Sequence, residues 1–343
     1  MAQPAVKAAE LVQIGKEGTR GSLVTATRRL IGDCRFSIEQ EHRDFADRQY
    51  GNLARTSRAP VITQNRTAFS IRSDLDAEQI LVALLSGVKG GVTGSGGGAD
   101  KTWTFTPGIG ADPAPDTYTI EFTEENFSDV KEYEAGYGFC TDFEVSWGID
   151  GVPELTINMV ARKAAESTKT ASIAVPSLNP TAALQTSVYV DDSWANLGNT
   201  QISNQIYGAR AAYTTGITMQ FYLDGRADLD FTQYVFDKRS LDLTMDVEVD
   251  PSASGFVILE KADKDAGTMR FVRVEIIGAA LGGSNYTVRI DGAYYHAPDS
   301  MVERGSDRDG HNQVSVHLMS AHDSSQDQDV AFVVINALTS FPS

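Results

Sequence analysis

The chain is poor in the residues that announce chemistry. It has two cysteines, three tryptophans and five histidines in 343 residues. Cys34 and Cys140 stand more than 100 positions apart, too few and too far for a disulfide framework or a thiolate metal cluster. They read as small buried hydrophobes of a protein made in a reducing cytoplasm. No apolar run approaches the ~18 residues of a membrane span, and the N-terminus lacks the apolar core of a signal peptide. Positive charge is also scarce: 29 Lys and Arg against 46 Asp and Glu leave a net charge of -17. That argues against a general nucleic-acid binder or a partner for an anionic membrane.

The charge is uneven. Residues 1–72 carry 12 basic and 7 acidic side chains, a net of +5, so the remainder carries -22. A hydrophobic content of 41% with 30 glycines and 11 prolines suits a globular, turn-rich protein.

What is abundant is alternation. Ser240–Asp250 reads Ser-Leu-Asp-Leu-Thr-Met-Asp-Val-Glu-Val-Asp. In a strand, Leu241, Leu243, Met245, Val247 and Val249 share one face and Asp242, Thr244, Asp246, Glu248 and Asp250 the other. Similar strands are expected at Arg35–Glu41, with Glu39 and Glu41 on one face, and at Arg66–Arg72, Thr102–Thr106, Thr117–Thr123, Phe143–Ile149, Leu155–Ala161, Ile217–Leu223, Thr268–Ile277, Tyr286–Asp291, Val314–Leu318 and Val330–Ile335. The clearest helix covers Leu75–Ser86, capped by Ser73 or Asp74, stopped by Gly87, with one apolar stripe laid on a sheet. A second is expected across Gly255–Ala262.

Strand, loop, strand, short helix and further strands thus occur twice, the helices about 175 residues apart. The expected fold is mainly β: two tandem antiparallel β-sandwich or partial-barrel domains, each flanked by a short helix. The boundaries are an N-terminal arm over 1–22, a first domain over 23–175 and a second over 176–343. Lys163–Pro180 is the candidate linker, and Arg43–Pro60 a long polar loop.

No catalytic constellation emerges, and no enzyme activity or cofactor is expected. The run Gly96-Gly97-Gly98-Ala99-Asp100-Lys101-Thr102 glances at a phosphate-binding loop, but Asp100 stands where glycine must precede the lysine. His42, His296, His311, His317 and His322 lack zinc-site spacing. Asp307–Gly310 lacks the third acidic position and closing Glu of a calcium loop, and no Gly-x-Ser-x-Gly elbow is present. Trp103, Trp147, Trp194, Tyr294 and Tyr295 read as core or interface anchors.

Like charges on one strand face repel. The candidate lining acids Asp242, Asp246, Glu248, Asp250, Glu39 and Glu41 would be tolerated beside a wide, water-filled space, whose walls would not hold a DNA backbone.

The Gly-punctuated basic start leading to Ser22-Leu23-Val24-Thr25-Ala26-Thr27, the strand Arg66–Arg72 followed by helix Leu75–Ser86, and the strand series Thr117–Ala161 resemble the tail tube (major tail) proteins of long-tailed bacteriophages. The resemblance covers most of the chain without a single diagnostic motif. It implies a structural virion protein, assembled in the host bacterial cytoplasm and located in the virion tail. Subunits of that family pool inner strands into β-barrel rings that stack into a tube, a conduit for DNA. A chain with two such domains would close a pseudo-hexameric ring with three copies; six copies with an outward domain is the competing arrangement. The implied partners are the chain itself, tape-measure, tail terminator and baseplate proteins, and phage DNA passing through without specific binding; no membrane partner is implied. Arg66 and Arg72 depart from a uniformly negative lining. The alternatives are another injection-apparatus β-protein, such as a baseplate hub or terminator, and an acidic β-sandwich carbohydrate-binding module.

Overall fold

Antiparallel pairing accounts for nearly every strand of the computed structural model, which describes residues 11–43, 61–110, 113–126, 129–179, 181–250, 256–300, 307–308 and 311–342. The first half runs β1 (Val12–Lys16), β2 (Arg28–Leu30), β3 (Asp33–Arg43), β4 (Val61–Asp74), α1 (Ile80–Ala83), β5 (Lys101–Phe105), β6 (Tyr118–Asn126), β7 (Asp129–Gly148), β8 (Glu154–Ala161) and β9 (Ala165–Glu166). The second runs β10 (Thr186–Asp191), β11 (Gln201–Ile202), β12 (Ile206–Thr214), β13 (Ile217–Gln220), β14 (Gln233–Phe236), β15 (Ser240–Glu248), α2 (Phe256–Ala266), β16 (Arg270–Leu281), β17 (Ser284–His296), β18 (Asp307–Arg308), β19 (His311–Ser320) and β20 (Val330–Asn336).

The two halves repeat one another in pairing. β1 pairs β2 and β6, as β10 pairs β11 and β16. β4 lies between β3 and β8, as β15 lies between β12 and β19. β7 pairs β6, β8 and β9, as β17 pairs β16, β19 and β20. The β13–β14 hairpin lies between β12 and β15; the corresponding span of the first half, between β3 and β4, falls outside the described residues.

Two pairings cross the halves. β7 pairs β12 from Asp142↔Thr214 to Gly148↔Gly208, and β5 pairs β20. The first creates one uninterrupted sheet in the order β3-β4-β8-β7-β12-β15-β19. Its inner rows are apolar: Ile71, Ile157, Phe143, Tyr213 and Leu241 stand in register, as do Leu155, Val145, Ala211, Leu243 and Leu318. All are buried, in one hydrophobic core that runs through both halves.

The first helix departs from the expected amphipathic stripe. α1 continues directly into a π-helical turn, Leu84–Val88, and every residue from Leu75 to Val88 is buried. No charged residue occurs between Glu78 and Lys89, so the segment has no face to offer water and sits inside the core. Ser73 and Asp74 do not cap it. Asp76 closes the preceding turn: its Oδ1 accepts the N–H groups of Glu78 and Gln79 at 2.8 and 3.0 Å. Gly87 does not stop it either, because the chain turns extended only at Lys89.

Other expectations are corrected. Residues 12–16, read as part of an arm, form β1 with Val12 and Ile14 in the core. β7 begins 14 residues before the expected Phe143, and left-handed Tyr137 (φ 59°) lies where its partner changes from β6 to β8. The candidate linker is strapped down: Ala165–Glu166 pairs with β7, and Thr170 donates to Glu121 through both N and Oγ1. The glycine-rich stretch after α1 is pinned as well, Gly90 N to Pro113 O and Gly94 N to Thr339 O. The Arg43–Pro60 loop beyond Arg43, the start of the second expected helix and the Asp309-Gly310 tip lie outside the described residues.

Candidate functional site

The outer face of the continuous sheet gathers the charged residues of the alternating strands. One cross-strand row reads Asp33, Arg72, Thr156, Glu144, Ala212, Asp242, Met319. The next reads Asp74, Glu154, Ser146, Arg210, Thr244, His317. Between the ionic positions the side chains are small: Thr156, Ala212, Ser146 and Thr244.

Register decides which acids are compensated. Glu39 lies opposite Arg66 and pairs with it at 2.5 Å. Glu144 pairs with Arg210 at 2.6 Å, and Glu154 with Arg72. These pairs are solvent-screened and add little to stability, so their main effect is on the local field. Each carboxylate's hydrogen bond and charge hold its arginine firmly protonated, raising Arg210 and Arg72 above the usual value.

The six candidate lining acids therefore fall into unlike groups. Asp242, Asp246 and Glu248 share the outer face of β15, as their alternation requires. Tyr207 donates its hydroxyl to Glu248 at 2.7 Å. Asp250 lies past the end of β15. Glu39 and Glu41 are on the same face of the sheet, but Glu39 is offset by Arg66 and Glu41 sits beside a bulge near the end of β3. β15 itself carries three acids and no lysine or arginine, while Arg210 on the neighbouring strand feels both Glu144 and Asp242.

The remaining candidates are structural. Lys101 closes the glycine-rich run on itself, donating to the carbonyls of Gly96 and Gly98 at 2.7 Å each, and Asp100 accepts from Ser284. The lysine that would meet a phosphate is thus engaged by the loop's own carbonyls. Trp103 and Tyr294 are buried, Trp194 packs edge-on against Phe271, and Tyr295 is exposed. Among the described residues no cluster of His, Cys, Asp and Glu has the grouping of a metal site, and no helix is long and apolar enough to cross a membrane.

One constellation has no signal in the sequence. His296 Nε2 lies 2.9 Å from Glu260 Oε2, and its Nδ1 lies 3.3 Å from Ser300 Oγ. This has the order of a nucleophile, base and orienting acid. Ser300 is wholly buried, however, and its Oγ accepts the His317 N–H at 2.9 Å, so no substrate reaches it. The group instead ties α2 to β17. Burial pushes the Glu260 carboxyl up, against the opposing pull of His296. Only the folded packing of residues 36 positions apart brings the pair together.

No protein-family model matches the chain, and no curated protein matches it in sequence.

Proposed function

We propose that this protein is a tail-tube-type structural subunit whose continuous sheet lines a DNA conduit. The observation that carries the reading is the β7–β12 pairing, which joins the two halves side by side into one sheet with a polar outer face. Subunits of the resembled family make such a junction between neighbours; this chain makes it within itself. The sheet then ends on two edges. Among the described residues β3 pairs only with β4, and the outer flank of β19 is met by β17 at Leu318–Ser320, by Ala297 and Ser300 at His317, and by β18 at His311–Asn312, which leaves a short stretch around Ser315 uncovered. Unpaired edges invite another strand. Joining β3 of one copy to the β17–β19 edge of the next would close a ring, and the doubled subunit favours three copies around the bore.

The negative excess on β15 supports passage over binding, because retention of DNA needs cations to replace its counterions. The test is Asp242→Lys, Asp246→Lys and Glu248→Lys together. Tubes of this variant are expected to retain double-stranded DNA in a salt-sensitive manner, and cryo-electron microscopy of the unaltered tube to show three chains per ring. Tubes whose affinity for DNA is unchanged would remove the β15 face from the channel wall.

A further inference from the structure

The β13–β14 hairpin bares apolar side chains at one end of the molecule. It links the end of β12 to the start of β15 and is strapped across that end of the sheet. Phe231 and Tyr234 bury against Tyr137, Phe139 and Val160. Arg162 donates to the carbonyls of Phe231 and Thr232 at 3.0 and 2.8 Å, and Asn65 N–H to that of Leu229 at 2.9 Å. The backbone is therefore held, yet Tyr222, Leu229, Val235 and Phe236 stay exposed and Leu223 is fully so. Such a cluster on a fixed support marks a contact surface.

The opposite end of β12 carries a cleft of about 320 Å³ lined by Trp147, Ile149, Leu184, Val188, Ile202 and Ile206. Leu184 stands on its lip with 78% of its surface open. At 3.3 Å per residue the strand separates hairpin and cleft by about 30 Å. Charge follows the same polarity. Exposed Lys238 lies two residues beyond Phe236, and exposed Asp246 lies opposite Gly208 of the cleft. Neither makes an ion pair among the described residues.

A protruding patch at one end and its complement at the other cannot satisfy each other within one copy. Repeated between copies, they form a head-to-tail contact that does not close on itself and so propagates along the strand direction. We propose that the Tyr222-Leu223 tip of one copy seats in the Trp147–Leu184–Ile206 cleft of the next, with Lys238 approaching Asp246, and that this is the contact stacking one ring on another. The inference rests on the tube reading and names its axial joint.

The test uses the full chain with Cys34→Ser, Cys140 being buried. Leu223→Cys and Leu184→Cys combined, under mild oxidation, are expected to give a ladder of disulfide-linked oligomers, and either cysteine alone no species beyond a dimer. Tyr222→Asp with Leu223→Asp is expected to leave rings that do not stack, with unfolding unchanged because neither side chain lies in a core. Tubes without a ladder, or tubes of ordinary length in the double aspartate variant, overturn the hairpin contact and leave the tube reading standing. A chain that gives neither rings nor tubes removes both.

Discussion

Glu121 shows how a charged residue can hold this fold together with no counter-ion among the described residues. It is buried, and its carboxylate accepts hydrogen bonds from Gln13 Nε2, Ala26 N, Thr170 N and Thr170 Oγ1. One side chain thus joins β1, the strand-to-strand loop after it and the strap that leads to the second half. Glu17 does similar work, accepting from Gly21 N, Thr117, Thr119 and Tyr137 N. Removing Glu121 leaves several buried donors without a partner, and a hydrogen bond to a charged group is worth about 1.5–3 kcal/mol. Glu121→Leu is expected to destabilise the chain by about 3 kcal/mol or more in urea unfolding; a loss below about 1 kcal/mol would deny the network this role. Glu260 gives a prediction in pH. Its folded carboxyl is raised by burial, with His296, Asp263 and Arg270 facing it. Folding therefore favours the protonated form, and the stability it contributes, complete below the unfolded value near 4.3, falls as pH rises through the folded value. Glu260→Gln lacks that loss, so its melting temperature relative to the unaltered chain should climb as pH rises from about 4 to 6. A flat or falling difference would contradict the assignment. Neither carboxylate is legible in the sequence, where the acidic residues are too numerous for any one to stand out.

At the scale of elements, legibility follows side-chain periodicity. β15, β4 and β8 have clean alternation because one face meets the core and the other meets water. β1 is missed because both faces are covered: Gln13 is as buried as its apolar neighbours. β12 is missed because Ala209 and Ala211 fill its inward positions, and alanine is a weak signal for a strand. The first half of β7 is acidic and broken by Gly136 and Gly138, so only its later residues stand out. The helix after β4 is legible in place but not in environment, since a segment without a polar face has no period from which to read its surroundings. Gly87 carries the clearest consequence. A Cβ there would meet Thr215 Cγ2 at 2.7 Å and Cys140 Cβ at 3.1 Å. Replacing a helical glycine by alanine ordinarily gains up to about 1 kcal/mol. At this close approach to β7, overpacking should reverse the sign, and Gly87→Ala is expected to cost about 1–3 kcal/mol in chemical denaturation. A stabilised variant would show that α1 has room to move away from β7.

For the whole molecule, the distribution of exposed apolar residues separates two directions of assembly. The hairpin tip and the cleft lie at the ends of the strands, whereas Ile38, Tyr295 and Met319 lie at the lateral edges of the continuous sheet, the first on β3 and the others on β17 and β19. A β3 edge meeting a β17–β19 edge is heterologous: each copy contributes one of each, and a closed ring uses every edge once. Charging one edge should therefore disable one side of each subunit and leave the other competent. Lysine is an effective guard on an edge strand. Ile38→Lys and Met319→Lys, each alone, are expected to elute as folded monomers in size-exclusion chromatography under conditions where the unaltered chain forms rings. Mixed in equal amounts they should yield a dimer and nothing larger, because the intact β3 edge of the Met319→Lys chain can join the intact β19 edge of the Ile38→Lys chain once, after which both remaining edges are blocked. Rings from the mixture, or from either variant alone, would show that the lateral joint lies elsewhere, while dimers confined to the mixture would establish both its two faces and their head-to-tail order.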